Sequence, residues 1–574
     1  MKLLKSIMKG YGKESVLAPL FKMLEASFEL MIPLVVAAIV DKGIYGSDQG
    51  YIVKMCLVMV ALGVIGLVCA VTAQYFAARA AVGVAAKMRH QVMERILSLS
   101  YTQLDKLGTS TLVTRMTSDV NQVQNGVNLA LRLLLRSPFV VFGAMIMAFT
   151  IDARAALIFV VLIVLLCLVV FGIMLITMPM YRKVQEGLDG VTSATRQNLS
   201  GVRVLRAFCK EAAEVEAYEA CTQTLTKRQQ LAGRISGLMN PVTFVMVNLA
   251  VIVLIHVGAI QVYSGVLTQG LVIALYNYMT QILVELIKMA NLIITMTKAG
   301  ACAKRIEAVC AIEPDLTLGT KKPTGVGKVE FRDVSATYEG ASEPSLEHIS
   351  FTAEPGQTIG IIGSTGSGKT TLVQLIPGLY RPTSGQVLID GVDITDLDAK
   401  ALRNQIGMVP QKAVLFYGTV RQNLLWGREE ATDEELWQAL RTAQADKVVQ
   451  EKPGALDTQV SQGGTNFSGG QRQRLTIARA LVRKPSLLIL DDSASALDYA
   501  TDAALRSSIR NMENPPTTFV VSQRAASVRF ADQILVLDDG KLVGQGTHEE
   551  LLRSCEVYRE IYHSQFPEEV ASCD

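Results

Sequence analysis

The sequence predicts an all-α, six-helix transmembrane domain with long cytoplasmic helical extensions, followed by an α/β P-loop domain. Three observations predict it. Half of the 574 residues are hydrophobic, and the long uncharged runs are confined to the first three hundred positions. The remainder alternates short β-branched runs with helical patterns, as α/β domains do. Within that remainder a glycine-rich loop stands between a buried-strand run and a helix.

A bilayer core of about 30 Å needs roughly 20 mainly apolar helical residues. Met55–Ala78 and Ala155–Tyr181 meet that requirement outright, and Ile235–Val284 is uncharged but too long for one span. It divides at Gln261–Gly265 and Thr268–Gly270, where small and polar residues favour a turn. Weaker spans precede these: one contains Lys22, Glu25 and Glu29, another follows Arg132. Six spans result, at about 16–40, 52–79, 133–152, 155–181, 237–261 and 270–297. The domain division is 1–312 for the membrane part, 313–327 for a linker and 328–574 for the P-loop part.

Charge fixes the orientation. Segment 79–136 carries Arg79, Lys87, Arg89, Arg95, Lys106, Arg115, Arg132 and Arg136, and 182–234 is also basic, whereas the opposite loops are short and nearly free of Lys and Arg. By the positive-inside rule the long loops, both termini and the P-loop domain lie in the cytoplasm of a multi-pass cell-membrane protein. More than fifty residues of structureless loop would be unusual, so the helices should run on beyond the bilayer. Breaks are expected at Ser100–Lys106 and Phe208–Glu214. The basic N-terminus lacks the apolar core and cleavage chemistry of a signal peptide. A net charge of +3 gives no ground for a nucleic-acid partner, and nine scattered cysteines without a CxxC pair give none for disulfides or zinc.

The strand run Ile359–Ile362 leads directly into Gly363-Ser364-Thr365-Gly366-Ser367-Gly368-Lys369-Thr370-Thr371. In such a loop backbone N–H groups wrap phosphates, the lysine reaches the β- and γ-phosphates, and the first threonine holds Mg²⁺. A second strand run, Leu487–Leu490, ends in Asp491 and Asp492; Asp491 suits a water-mediated Mg²⁺ contact. Ser468-Gly469-Gly470-Gln471 opens a further helix, a second anion site that one chain does not need. It makes sense if it closes over the ATP of a partner chain.

On these motifs the chain resembles, over essentially its full length, a half-transporter of the ABC exporter superfamily. The resemblance implies an ATPase domain with an antiparallel β subdomain and a helical subdomain. It makes Tyr338 the aromatic that stacks on adenine and Gln411 the Q-loop glutamine that contacts Mg²⁺. Ser468–Gln471 becomes the trans signature, with Phe467 for the usual leucine, and Ser495-Ala496-Leu497-Asp498 the D-loop. Gly201–Phe208 resembles the entry to a coupling helix, and Gln462 stands where such exporters usually carry glutamate.

Two departures matter more than the matches. The catalytic glutamate of the family is Asp492 here, and the switch histidine is Gln523. Aspartate is one methylene shorter, and glutamine cannot become an imidazolium. The chain is therefore expected to bind ATP and Mg²⁺ well but hydrolyse slowly, and to need a different half-transporter that retains the Walker B glutamate and switch histidine. This resembles heterodimeric bacterial multidrug exporters, whose cargo is a small amphipathic drug or a membrane lipid. A peptide or siderophore carrier, and an ATP-gated regulator, share the same motifs and stay open. Glu285, interrupting the last span, is a candidate to line the transport cavity and offer a counter-charge to cations; the alternative is that Lys288, three residues on, neutralises it.

Overall fold

The computed structural model describes residues 2–314, 319–338 and 340–566; linker positions 315–318 and the terminal 567–574 lie outside the described residues. The chain forms two compact units, Met1–Leu97 with Thr109–Ile312, and Ser98–Gly108 with Glu313–Asp574.

Among the described residues of the first unit, six helical stretches are long and apolar enough to cross a membrane. The principal helices are α1 (Gly12–Ala38), α2 (Gln49–Ser98), α3 (Tyr101–Leu107), α4 (Val120–Leu133), α5 (Arg136–Ile151), α6 (Ala153–Ser200), α7 (Val202–Ala207), α8 (Glu211–Gly237), α9 (Met239–Tyr263) and α10 (Gln269–Cys310), with α3 belonging to the second unit. At about 1.5 Å per residue, the 50 residues of α2 span roughly 75 Å, more than twice a bilayer core. Val60, Leu67 and Val71 stay exposed along α2, as side chains facing lipid do. Asp152 starts α6 two residues before Arg154 by accepting from the Ala155 N–H at 2.8 Å.

Two features within this unit differ from the sequence expectation. The expected break at Phe208–Glu214 falls earlier, because α6 ends at Gly201, α7 occupies Val202–Ala207, and Cys209 takes a left-handed φ of 51° that stops it. Arg136, counted among the cytoplasmic loop cations, is buried at the first residue of α5. Pro138 has no N–H to give the Leu134 carbonyl, so the helix is interrupted at Leu134–Leu135 and restarts at Arg136.

The second unit holds a six-stranded sheet of order β12-β11-β3-β10-β9-β6, built from β3 (Thr358–Gly363), β6 (Ile406–Val409), β9 (Leu487–Asp491), β10 (Thr517–Val521), β11 (Gln533–Asp538) and β12 (Lys541–Gly546). All neighbours pair parallel except β11 with β12. The five parallel strands are buried on both faces, and the edge strand β12 is not. Ile359, Ile361, Leu487, Ile489, Phe519 and Val521 enter one core, while Ile362, Leu488, Leu490 and Val520 enter the other, as a period of two requires. Each such side chain contributes about 1.5–3 kcal/mol by burial. A four-stranded antiparallel sheet, β2-β1-β4-β5 (Leu346–Ala353, Val329–Ala336, Ser384–Ile389, Val392–Asp393), shares the first core, and helices between Val420 and Val482 close the second.

Residues 98–108 join this unit and not the contiguous 1–312 division. Ser100 caps α3 with a reciprocal capping box, the Tyr380 hydroxyl donates to Asp105 at 2.7 Å, and the Tyr101 and Tyr380 rings lie 6.0 Å apart.

Candidate nucleotide site

Three adjacent parallel strands, β3, β10 and β9, end at one level, with Val521 in register with both Ile361 and Asp491. Ligands of open α/β sheets bind beyond these carboxyl ends. Here they carry, in spatial order, the Gly363–Thr371 loop, Gln523 and the Asp491–Asp492 pair.

The loop passes into helix α11 (Lys369–Leu375) through Gly368, whose φ is 90° and whose missing Cβ would stand 2.4 Å from the Ser345 carbonyl oxygen. Only glycine fits there. The Lys369 ammonium is buried and donates to the Gly363 carbonyl at 3.0 Å, the Ser364 carbonyl at 2.6 Å and Ser367 Oγ at 3.3 Å. It forms no ion pair among the described residues. Burial holds its pKa below the ordinary lysine value, against the pull of Asp492 and Asp491. Thr370 Oγ1 donates to Asp491 Oδ1 at 3.1 Å, and Gln411 Nε2 reaches Asp492 Oδ2 at 3.4 Å. Asp491 is 2% exposed, and burial, with Asp492 beside it, raises its carboxyl above the usual range. Asp492 sits at a left-handed φ of 48°, a conformation that short polar side chains tolerate best.

These groups surround a cavity of about 280 Å³ whose wall includes Tyr338, Thr365–Thr371, Gln411, Asp491, Asp492 and Gln523. The residues fit ATP and Mg²⁺ on charge alone. A buried cation without a carboxylate stands across from two carboxylates without a cation, so a phosphate and a divalent metal would each satisfy what the protein leaves unpaired. Tyr338, half-buried, bonds Thr371 Oγ1 at 3.0 Å and meets Tyr380 edge-on at 5.2 Å. Gln523 is exposed, and its carbonyl accepts from Gln565 Nε2 at 2.8 Å.

Other sequence-nominated residues lie elsewhere. Gly363 and Ser364 form the loop base outside the cavity wall, and Ser468–Gln471 and Ser495–Asp498 do not line it. Ser468 caps α12 (Gly469–Val482) through a reciprocal capping box with Gln471. Gly470 packs on the D-loop, where a Cβ would stand 2.9 Å from the Ala496 carbonyl oxygen. Phe467 is buried, and Lys452 lies over its ring at 5.4 Å. Gln462 is exposed in a short 3₁₀ turn.

The sequence reading passed over two residues. Arg524 donates to the carbonyls of Ala494, Leu497 and Ser495 at 3.2–3.4 Å, bracing the D-loop. Tyr380 joins Tyr338 to α3, and its partner Asp105 is 275 positions away. The only local signal was the arginine that follows Gln523.

Residues 15–286 match the family described as the ABC transporter transmembrane region, and residues 346–495 match the ABC transporter family. An uncharacterized ABC transporter ATP-binding protein of Mycobacterium tuberculosis is 39% identical over 574 residues, 98% of each chain. A probable multidrug resistance ABC transporter ATP-binding/permease protein of Bacillus subtilis is 32% identical over 490 residues, 83% of this chain and 82% of the relative. Among solved structures, a bacterial Atm1-family ABC exporter with ATP bound has a TM-score of 0.80 at 22% identity, covering 98% of this chain and 99% of that one; the likeness is one of fold.

Proposed function

The chain belongs to the ABC transporter family, with the architecture of an exporter half-transporter, and from that premise we propose that it is the slow-hydrolysing subunit of a heterodimeric exporter. The observation that carries this reading is the pair Asp492 and Gln523 on the wall of the cavity. The groups suited to binding are complete: Tyr338 for adenine, Gly363–Thr371 for the phosphates, and Thr370, Gln411 and Asp491 for Mg²⁺. ATP supplies the phosphoanhydride whose hydrolysis drives transport. What is altered is the pair of groups that would position and activate the attacking water, where about 1 Å of displacement costs on the order of 10²-fold in rate.

A homodimer would have two slow sites. The signature Ser468–Gln471 is nearly unaltered and stands away from this chain's own cavity. It therefore serves a competent site on a different half-transporter, one with a Walker B glutamate and a switch histidine. Both termini and the ATPase domain lie in the cytoplasm, where ATP is. The cargo is a small amphipathic drug or a lipid, a reading supported by the resistance-linked relative.

The test is the ATPase activity of the purified chain, alone and with its partner half. Alone it should be nearly inactive, and Asp492→Glu with Gln523→His should raise its turnover. In the paired transporter, Ser468→Ala should cut turnover by about 10²-fold, the usual cost of an electrostatic donor to a transition state. Brisk turnover by a verified homodimer of the unsubstituted chain sinks the proposal.

A further inference from the structure

Within the transmembrane unit four ionisable side chains from three helices form one cluster. Arg136 of α5 donates through one Nη to Glu285 Oε1 of α10 at 2.6 Å and through the other to Glu29 Oε2 of α1 at 2.6 Å. Lys288 donates to Glu285 Oε1 at 2.8 Å, and the Ser137 hydroxyl to Glu285 Oε2 at 2.8 Å. The central pair is sealed, with Arg136 8% and Glu285 4% exposed at the side chain; the outer pair is open, with Glu29 39% and Lys288 43% exposed.

Both open groups border a cavity of about 370 Å³, together with Glu285 and with Asn277, Thr280 and Gln281 on the same face of α10. Gln281 Oε1 is buried and accepts no hydrogen bond among the described residues. Ile32, Pro33, Val140 and Val284 supply the apolar part of the wall.

Two carboxylates and two cations sum to zero, and the neighbouring Lys22–Glu25 pair, at 2.5 Å, is also neutral. That sum decides the ligand. A monocation would find Glu29 but leave a net positive charge among membrane helices, where uncompensated charge is costly; a monoanion at Lys288 would leave the opposite charge. A head group carrying both charges adds none and meets both open arms. The geometry points to this cavity as a binding site for the head group of a zwitterionic amphiphile. This replaces the expectation of a bare counter-charge at Glu285, whose two oxygens are already taken by three donors. The inference rests on the proposed transport role only in calling the bound molecule a cargo.

The experiment uses the full-length chain in uncharged maltoside micelles, without ATP or a partner, so its outcome is separate from that of the ATPase test. Binding is measured for three probes with the same alkyl tail and neutral fluorophore but phosphocholine, trimethylammonium or sulfate heads. The phosphocholine probe should bind about fivefold more tightly than either other, the upper range for one partly exposed ion pair. Lys288→Gln leaves the cluster net negative and should move the preference to trimethylammonium. Glu29→Gln should move it to sulfate. The double variant should bind all three equally and weakly. Equal binding of the three probes by the unsubstituted chain, or a preference for trimethylammonium, overturns the inference without any variant, as does a preference that ignores both substitutions.

Discussion

In the nucleotide cavity, among the described residues, the Lys369 ammonium donates only to two carbonyls and a hydroxyl, while the Asp491 and Asp492 carboxylates accept only from Thr370 and Gln411. In the transmembrane unit, Arg136 spans two carboxylates, and Glu285 accepts from Arg136, Lys288 and Ser137. Both regions bury charge, but they resolve its cost in opposite ways. The cavity keeps cation and anions apart and relies on a ligand of matching charge; the membrane cluster closes on itself and leaves only its outer arms open. A site that holds charge apart gives up stability for binding, whereas a closed cluster ties helices together and binds only what leaves its neutrality intact.

Removing the centre of the closed cluster should have the largest effect. Arg136→Met leaves the buried Glu285 with Lys288 and Ser137 but without its buried cation, and breaking one side of a buried pair costs about 3–5 kcal/mol. The expected result is a large fall in melting temperature and in the yield of monodisperse protein in detergent. Arg136→Met with Glu285→Leu should recover most of it, because Glu29 and Lys288 are open enough to be hydrated. A melting temperature unmoved by Arg136→Met would mean the cluster is already wet, and the contrast would fail.

The same operation in the cavity should have the opposite sign for the protein alone. Lys369→Ala removes a desolvated cation that no carboxylate balances, so the nucleotide-free chain should melt no lower than before. Its affinity for Mg·ATP should fall by about 10- to 100-fold, the worth of one charge-assisted contact of about 1.5–3 kcal/mol. Equilibrium binding of a fluorescent ATP analogue, with melting curves on the same samples, measures both. Destabilisation without loss of binding would show that Lys369 is a structural residue.

What the sequence disclosed follows the range of the interactions concerned. The Gly363–Thr371 loop was legible because strand, turn and helix cap are consecutive, and the six membrane stretches because hydropathy is a local sum. The pairing of Glu285 with Lys288 was also visible, three residues apart on one helix. Arg136 was not: its partners lie 107 and 149 positions away, and a basic residue next to a predicted span passes for a loop cation. Tyr380 was missed for the same reason. Asp492 and Gln523 stood out in the sequence because motif and departure are read at the same place. The position of α7 was missed by a few residues, since Gly201 and the left-handed Cys209, not the polar run after Phe208, delimit it.

The smallest effect tests whether Asp491 carries the charge cost assigned to it. Its carboxyl pKa is raised above 3.8, chiefly by burial and then by Asp492, while Thr370 pulls the other way. A raised folded-state pKa means that the folded chain holds the proton more tightly than the unfolded chain. The stability this gives is complete below 3.8 and is lost as pH rises through the folded pKa. At neutral pH the ionised Asp491 is thus a burden in the nucleotide-free chain, and Asp491→Asn removes it. The melting temperature of Asp491→Asn relative to the unsubstituted chain should therefore rise as pH increases from about 4 to 7. Saturating Mg·ATP should reverse the ranking at pH 7, because the metal now meets the charge that the amide lacks. A pH-independent difference would mean that Asp491 is hydrated well enough to ionise as an ordinary carboxylate, and the held-apart arrangement would then rest on Lys369 alone.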